Sequence, residues 1–213
     1  MALIKKRRAR SLQLYMKLRG GRWKNCVTSD ESLLYLGWSY GRRKVCYMRK
    51  GDTISDKLKF VKRDSFAKGF MAWAGVSYRG NTDIRFINKG TKVNSNFYIN
   101  KVLNPLLRND VPKLFPEGRK SMVFHQDSAS SHTSKQTLQF LKKENVNFID
   151  RDEWMPKSPD ASQTDFGIWG IFKRRLQKRN VNYVIGLKKA LKDEWRKLNQ
   201  TIINKTLELW PKR

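Results

Sequence analysis

The sequence predicts an α/β fold in which a mixed sheet is flanked by helices. Short apolar runs typical of strands come first, and later runs alternate with longer segments of helical periodicity. Two early runs around a glycine-containing turn predict an antiparallel hairpin that leads into the alternating strands and helices. Hydrophobic residues form 39% and aromatic residues 12% of the 213-residue chain, which is enough to fill the core of one domain.

The first half of the chain predicts one helix followed mainly by strands. The basic, amphipathic residues 1–21 predict a helix or a linker that ends at a glycine pair. Apolar and aromatic runs predict strands at residues 23–36, 44–48, 70–76 and 84–87. A turn at residues 37–41 joins the first two of these strands. Residues 94–107 have helical spacing, with Asn94 or Ser95 as the N-cap.

The second half of the chain predicts alternating strands and helices. Residues 121–126 predict a short apolar strand that stops at Asp127. Residues 133–136 predict a capping box for a helix that continues to Lys143. Further predicted elements are a strand at 146–149, a proline-containing loop at 153–162, a helix at 165–178 and one or two helices within 184–209.

The charge of the chain indicates a nucleic-acid partner. Lys and Arg number 46 against 18 Asp and Glu, which gives a net charge of +28 and a pI near 10.4. Basic residues spread over the whole length are typical of phosphate-backbone binding. A ribosomal-type structural protein and a solvated basic surface are the alternatives. The basic run at residues 5–10 is typical of a nuclear-import signal or a DNA contact. A solvated helix face is an equally good interpretation of this run.

Other features of the sequence restrict the class of protein further. The longest apolar stretch, residues 70–76, is far shorter than the roughly 20 residues that a bilayer span needs, and nothing resembles a signal peptide. We therefore expect a soluble, intracellular protein. Cys26 and Cys46 lack the spacing of a zinc site, so both are predicted to be reduced core thiols.

Three aspartates interrupt apolar segments and need a physical reason to be there. They are Asp30, Asp127 and Asp165. If the first strand lies beside the strand that ends at Asp127, Asp30 and Asp127 are neighbours, and the start of the helix at 165–178 can present Asp165 to both. Three carboxylates so arranged bind two Mg²⁺ or Mn²⁺ ions and suit phosphoryl displacement. An isolated aspartate is more often a cap, a turn residue or a surface charge, so spacing alone leaves both interpretations open.

Local motifs around these aspartates resemble a known family. Ser29-Asp30-Glu31 is similar to the family's first acidic motif, residues 127–132 to its Asp-x-Ala-Pro-x-His pattern, and Ser158-Pro159-Asp160 with residues 165–170 to its third. Residues 73–76, 94–99 and the final Trp-Pro-Lys-Arg agree as well. The chain resembles, from about Arg7 onward, the catalytic domain of mariner-type transposases of the Tc/mariner superfamily.

The resemblance implies an RNase H-like fold and a metal-dependent DNA transposase. Asp30, Asp127 and Asp165 would then be the catalytic triad, and 37 residues lie between the second and third, as in the branch with three aspartates. The implied reaction is strand cleavage followed by strand transfer, commonly at a TA dinucleotide, by a homodimer acting on double-stranded DNA in the nucleus. The family's upstream helix-turn-helix modules are expected to be absent.

The resemblance also divides the chain and assigns supporting residues. It implies a basic stub over 1–21, a catalytic domain over 22–180 and C-terminal helices packed on the same domain over 181–213. His132 is a candidate supporting residue or a helix cap. Apart from the resemblance, the basic run on the helix of Asp165 supplies the candidate DNA-contacting residues Lys173, Arg174, Arg175 and Lys178, with a solvated helix face as the alternative.

Some residues argue against a simple transfer of the family's site. Ser130 stands where the family has Pro, and residues 161–164 replace a Leu-Ala-Pro-like run. Glu31 is left out of the triad because neighbours on a strand point to opposite faces, and Asp160 competes with Asp165. A catalytically lapsed, transposase-derived DNA-binding protein and an RNase H-like nuclease acting on RNA–DNA hybrids therefore remain alternatives.

Overall fold

The structure is a computed structural model that describes residues 2–36, 51, 53, 68–155, 162, 164–179 and 181–210, without the side chains of residues 2, 165 and 166. Its strands are β1 (Cys26–Tyr35), β2 (Gly69–Ser77), β3 (Gly80–Asn81), β4 (Arg85–Asn88), β5 (Val123–His125) and β6 (Asn147–Phe148). The predicted strand at 44–48, its turn at 37–41 and the thiol of Cys46 lie outside the described residues.

The helices surround this sheet. They are α1 (Ala2–Leu18), α2 (residues 95–114), α3 (Lys135–Lys143), α4 (Trp169–Gln177), α5 (Val184–Arg196) and α6 (Gln200–Leu207). Within α2, Ser95–Tyr98 and Val111–Leu114 enclose the π-helical segments Ile99–Leu103 and Leu106–Asp110. A π-helical turn, Thr164–Ile168, leads directly into α4. Short 3₁₀ turns lie at Arg22–Asn25 and Arg119–Ser121.

The sheet is mixed, as the sequence predicts. Its order is β3-β2-β1-β5-β6, with β4 also paired to β2. β1 pairs antiparallel with β2 and parallel with β5, and β5 pairs parallel with β6. The predicted neighbourhood of the first strand and the strand before Asp127 is therefore confirmed. This mixed sheet with helices on both sides is an RNase H-like fold.

Each face of the sheet has its own hydrophobic core, because successive residues of β2 point to opposite faces. Ala72, Ala74 and Val76 pack against α4, α5 and α6. Trp73, which is fully buried, packs on the other face against α2 and α3. The helix of Asp165 and the helix that carries Tyr98 therefore lie on opposite faces of the sheet.

A third, smaller core ties the N-terminal helix to the rest of the chain. Leu14 and Leu18 of α1 pack with Cys26, Trp154 and Trp210. Arg10 of α1 also donates to the backbone oxygens of residues 151 and 154, each at 3.0 Å. Cys26 is 1% exposed and is a free thiol, as predicted. Within the described residues, no helix has the length and apolar character needed to cross a bilayer.

Helix caps agree with the sequence at one helix and differ at another. Asn94 caps α2 by accepting from the backbone N–H of Phe97 at 2.9 Å, as expected. The predicted capping box at 133–136 is wrong. Ser134 is the N-cap of α3 and accepts from Thr137 N, while Gln136 instead bonds Asn96 across to α2. The helix starts one residue later than the box requires, so Gln136 does not occupy the reciprocal position.

Candidate functional site

The parallel pairing of β1 and β5 brings the segments of two predicted aspartates together. Thr28 of β1 is the register partner of His125 of β5. Asp30 and Asp127 each follow these partners by two residues; Asp30 is still within β1, whereas Asp127 lies beyond the end of β5. Ser29 Oγ donates to the His125 carbonyl at 3.1 Å, which fixes this register.

Asp127 lies at the start of the loop between β5 and α3, where its carboxylate is more than half exposed. Its Oδ1 accepts from the backbone N–H of Ala129 at 3.0 Å and lies 2.6 Å from His132 Nδ1. Partial burial opposes the charged carboxylate, but these two hydrogen bonds outweigh it and lower the pKa of Asp127. The carboxylate is therefore ionised at neutral pH.

His132 joins Asp127 to an acidic residue of β1. The His132 side chain is 4% exposed, and its Nε2 lies 3.3 Å from Glu31 Oε1. Burial lowers the pKa of His132, but the two carboxylates outweigh burial and raise the pKa to about 9. Since each ring nitrogen lies near a carboxylate oxygen, the ring is an imidazolium at neutral pH. Its Nδ1 donates to Asp127 Oδ1, whereas the contact of Nε2 with Glu31 is an ion pair.

The structure brings Glu31, which the sequence analysis left out of the site, together with two residues that it included. Glu31, Asp127 and His132 offer ligand atoms that all lie within 4.8 Å of one another. The alternation argument correctly separates Glu31 from Asp30, but it does not show what lies on the face of Glu31. The sequence signal that could have indicated this cluster is the histidine five residues after Asp127. His132 contacts Asp127 and also Glu31, which is one residue beyond Asp30 on β1.

Two buried hydrogen bonds link Tyr98, Gln126 and the backbone of His132. Tyr98 Oη donates to Gln126 Oε1 at 2.8 Å, and Gln126 Nε2 donates to the His132 carbonyl at 3.1 Å. The rings of Tyr98 and His132 pack with their centroids 4.1 Å apart. Burial and the nearby charges of Glu31 and Asp127 raise the pKa of Tyr98, so its hydroxyl stays a neutral donor. The role of His132 as a cap of α3 is excluded, because Ser134 is that cap.

The second histidine, His125, is a packed residue. His125 is 1% exposed, lies 2.8 Å through Nδ1 from Thr28 Oγ1, and packs on Trp154 with the ring centroids 3.9 Å apart. Burial lowers the pKa of His125 to about 4, so the ring is neutral at physiological pH.

Asp165 belongs to the π-helical turn Thr164–Ile168, which packs against β1. Its side chain is outside the described part of the chain, as are Asp160 and the Ser-Pro-Asp motif. The neighbouring Thr164 and Ile168 are buried, and Trp169 is 2% exposed in the core, as predicted. The backbone of Asp165 is thus held against the strand that carries Asp30.

The basic residues on α4 differ in their surroundings. Lys173, Arg174 and Lys178 are exposed, whereas Arg175 is half-buried and lies 3.6 Å from Glu194 of α5. A cavity of about 740 Å³ opens between the two helices. Cationic side chains on its wall are Arg175, Lys178, Arg179 and Lys189.

Comparison with known proteins agrees with this architecture. No protein-family model matches the chain. The Tc3 transposase of Caenorhabditis elegans is 29% identical over 182 residues, which cover 84% of this chain and 51% of that protein. The Tcb2 transposase of Caenorhabditis briggsae is 25% identical over 90% of this chain and 66% of its own length. The chain therefore spans about half the length of the first relative and about two-thirds of the second.

Solved structures show the same fold. The Mos1 transposase in a paired-end complex with the left transposon end superposes with a TM-score of 0.81 at 20% identity, covering 100% of this chain and 60% of that one. The isolated catalytic domain of the Mos1 mariner transposase superposes with a TM-score of 0.70 at 17% identity, covering 98% of this chain and 87% of that domain. The chain is thus similar in sequence to the Tc3 and Tcb2 transposases and has the fold of the Mos1 mariner transposase catalytic domain.

Proposed function

We propose that this chain is the catalytic domain of a Tc/mariner-type transposase and carries out metal-dependent cleavage and strand transfer of DNA. The observation that carries the proposal is the parallel pairing of β1, which carries Asp30, with β5, which ends two residues before Asp127, together with the packing of the turn of Asp165 against β1. Asp30, Asp127 and Asp165 form the proposed catalytic triad. The similarity to Tc3 transposase and to the Mos1 catalytic domain supports this assignment.

The donor set fits a hard divalent cation. Carboxylate oxygens are the ligands that Mg²⁺ and Mn²⁺ prefer in proteins, and the lowered pKa of Asp127 keeps that ligand ionised. Mos1 structures include complexes with Mg and with Mn. We propose that the triad holds two such ions, which when bound activate the attacking oxygen and stabilise the leaving oxygen of an in-line displacement.

The chain's own residues orient and anchor the reactants. His132 holds Asp127 through Oδ1, so the carboxylate of Asp127 has a fixed direction. Lys173, Arg174, Arg175 and Lys178 are the proposed DNA contacts on α4, and the net charge of +28 supports a long phosphate-binding surface. Of these four, Arg175 already has Glu194 as a partner, so we expect the three exposed residues to contribute more.

The proposal includes the partners and location of the protein. Double-stranded DNA, as transposon ends and target, is the proposed substrate, because Mos1 was solved in complexes with transposon-end DNA. A homodimer on paired ends and a nuclear location follow from the same family relationship. We also propose the division of the chain at residues 1–21, 22–180 and 181–213. The packing of α1 and of the C-terminal α6 on the sheet supports one domain with a helix at each end.

Nicking of labelled duplex DNA in Mg²⁺ or Mn²⁺ tests the proposed reaction. We expect cleavage that requires the metal and falls at least about 10²-fold in Asp127→Asn, which keeps the shape of the side chain but removes its charge. Asp83→Asn is the matched control, because Asp83 is an exposed aspartate outside the site. Metal-independent cleavage, or equal loss in both variants, would contradict the triad.

The same assay separates the alternatives. DNA binding without any cleavage of pre-nicked or intact transposon-end duplexes indicates the catalytically lapsed DNA-binding protein. Cleavage of the RNA strand of an RNA–DNA hybrid in preference to duplex DNA indicates the RNase H-like nuclease. A duplex carrying a free 3′-hydroxyl at its end should be joined to target DNA by a competent strand-transfer domain.

A further inference from the structure

We propose that Glu31 is a positioning residue that fixes the carboxylate of Asp127 through the imidazole of His132. The inference rests on the proposed function, since it assigns Asp127 to the metal-binding triad. It adds a residue that lies outside that triad and reaches the site from the opposite face of β1. Glu31, His132 and Asp127 then act as one chain of contacts rather than as three separate polar groups.

The position of Glu31 explains why it serves His132 and not the triad directly. Glu31 and Asp30 are successive residues of β1, so their side chains leave the strand on opposite faces. Across the antiparallel pair, Glu31 is the register partner of Trp73, which is fully buried. The Glu31 side chain is 19% exposed, and its carboxylate lies 3.3 Å from the His132 ring. A largely buried carboxylate needs such a cationic partner.

His132 has contacts at both ring nitrogens and on its face. Asp127 contacts Nδ1 at 2.6 Å, Glu31 contacts Nε2 at 3.3 Å, and Tyr98 packs on the ring face. Among the described residues, Glu31 is the charged partner of Nε2. Together with the packing of Tyr98, its contact on the far nitrogen helps to fix the direction of the Nδ1–H that holds Asp127.

This arrangement has a consequence for the carboxylate of Asp127. Both hydrogen bonds that the structure gives Asp127, from His132 Nδ1 and from Ala129 N, use Oδ1. Within the described part of the chain, Oδ2 accepts no hydrogen bond, so it is the oxygen that we assign to a cation. Groups that orient a ligating carboxylate or imidazole typically change metal affinity 10–100-fold when they are removed.

Mn²⁺ affinity of the DNA-free protein, measured by electron paramagnetic resonance, tests the inference. We expect Glu31→Ala to weaken Mn²⁺ binding about 10-fold or more, while Glu31→Gln stays within about 3-fold of the parent. Gln has the shape of Glu and keeps a polar group beside Nε2, so the ring stays in place and Nδ1 keeps its hydrogen bond to Asp127.

The contrast between the two variants distinguishes positioning from direct ligation. If Glu31 is itself a metal ligand, Gln and Ala reduce the Mn²⁺ affinity equally, and the inference is overturned. It is also overturned if Glu31→Ala binds Mn²⁺ as the parent does. Glu144→Ala is the matched control, because Glu144 is a half-buried glutamate paired with Arg119 away from the site; we expect no change in its Mn²⁺ affinity.

A second background keeps the test informative if Glu31→Ala folds poorly. In His132→Asn the amide can still donate toward Asp127 but is too short to reach Glu31. We expect Glu31→Gln and Glu31→Ala to bind Mn²⁺ equally in that background, since the link they perturb is gone. An undiminished Ala effect there contradicts the inference. Absence of Mn²⁺ binding by the parent overturns the proposed function itself, whereas Asp127-dependent binding that ignores Glu31 overturns only this inference.

Discussion

The two histidines of this chain show how the same ring acquires opposite properties from its neighbours. His125 is enclosed by Trp154 and Thr28, with no charged group in direct contact among the described residues, so burial dominates. His132 is nearly as buried, but it lies between Glu31 and Asp127, and the two carboxylates outweigh burial. The difference comes from charge placement and not from exposure.

A titration of the metal-free protein by NMR should separate these two rings. The chain has two histidines, so ¹⁵N-histidine spectra contain only their signals. We expect His132 to stay protonated at pH 8 and to lose its proton near a pKa of about 9, while His125 stays neutral down to a pKa of about 4. Asp127→Asn should lower the pKa of His132, and a normal pKa for His132 in the parent would contradict the described cluster.

The thiol of Cys26 gives a second prediction at this scale. Burial raises the pKa of Cys26 to about 12, even though Lys17 opposes this effect. Because the thiolate is the reactive form, we expect negligible alkylation of Cys26 by iodoacetamide at pH 8 in the folded protein and rapid alkylation in guanidinium chloride. Peptide mass mapping measures Cys26 separately from Cys46.

The raised pKa of Cys26 also makes the stability of the fold decrease at alkaline pH. The folded-state pKa lies above the unfolded value, so the neutral thiol stabilises the fold fully below about pH 9. This contribution is lost as the pH rises through about 9 toward 12. Cys26→Ala should remove that part of the alkaline destabilisation, and fast alkylation of native Cys26 at pH 8 would contradict its burial.

At the scale of elements, most helices and strands could be predicted because their apolar spacing survives in the fold. β2 and α4 are examples, since Ala72, Ala74 and Val76 alternate across a sheet while Trp169 and Phe172 share one side of a helix. The site was less predictable. The position of Glu31 opposite His132 depends on the course of the loop after β5, and local propensity carries no information about that course.

The π-helical segments could not be predicted from the local sequence pattern either, because they depend on packing. Gly167 lies in the π-helical turn Thr164–Ile168, and a Cβ at this position would lie 2.5 Å from Thr206 Cγ2 of α6. The turn that holds Asp165 against β1 therefore requires a residue without a side chain where α6 crosses it. The glycine is a packing requirement here, and no left-handed backbone conformation is involved.

Paired substitutions test this close approach. We expect Gly167→Ala to destabilise the protein by about 1–3 kcal/mol through overpacking. Thr206→Ser removes the methyl group that is contacted, so the double variant should recover most of the loss. Gly170→Ala is the matched control, because nothing lies within 4 Å of a Cβ there, and it should stabilise the helix by about 0.5–1 kcal/mol. Urea unfolding measures all four, and an unrescued Gly167→Ala would contradict the contact.

At the scale of the whole molecule, the two sides of the sheet carry different surfaces. The face with α4, α5 and α6 presents Lys173, Arg174 and Lys178, which lie along and just after the helix that follows the turn of Asp165. The other face, covered by α2 and α3, also carries exposed lysines, including Lys142 and Lys143 at the end of α3. Composition alone predicts a nucleic-acid partner, but it cannot assign the partner to one face, because basic residues are spread over the whole length.

The salt dependence of DNA binding distinguishes the two faces. Each phosphate contact contributes a slope of about −0.9 to the logarithm of the binding constant against the logarithm of salt concentration. Replacing Lys173, Arg174 and Lys178 together by Gln should therefore make the slope shallower by about 2–3. The control replaces Lys101, Lys142 and Lys143 by Gln, which removes the same charge from exposed positions on α2 and α3, the helices of the other face. We expect that control to change the slope by less than about 1, since its cations reach DNA only through the long-range field.

Fluorescence anisotropy with a labelled duplex at several salt concentrations measures both slopes. Equal changes in the two triple variants would show that α4 has no special part in DNA binding and that net charge alone attracts the duplex.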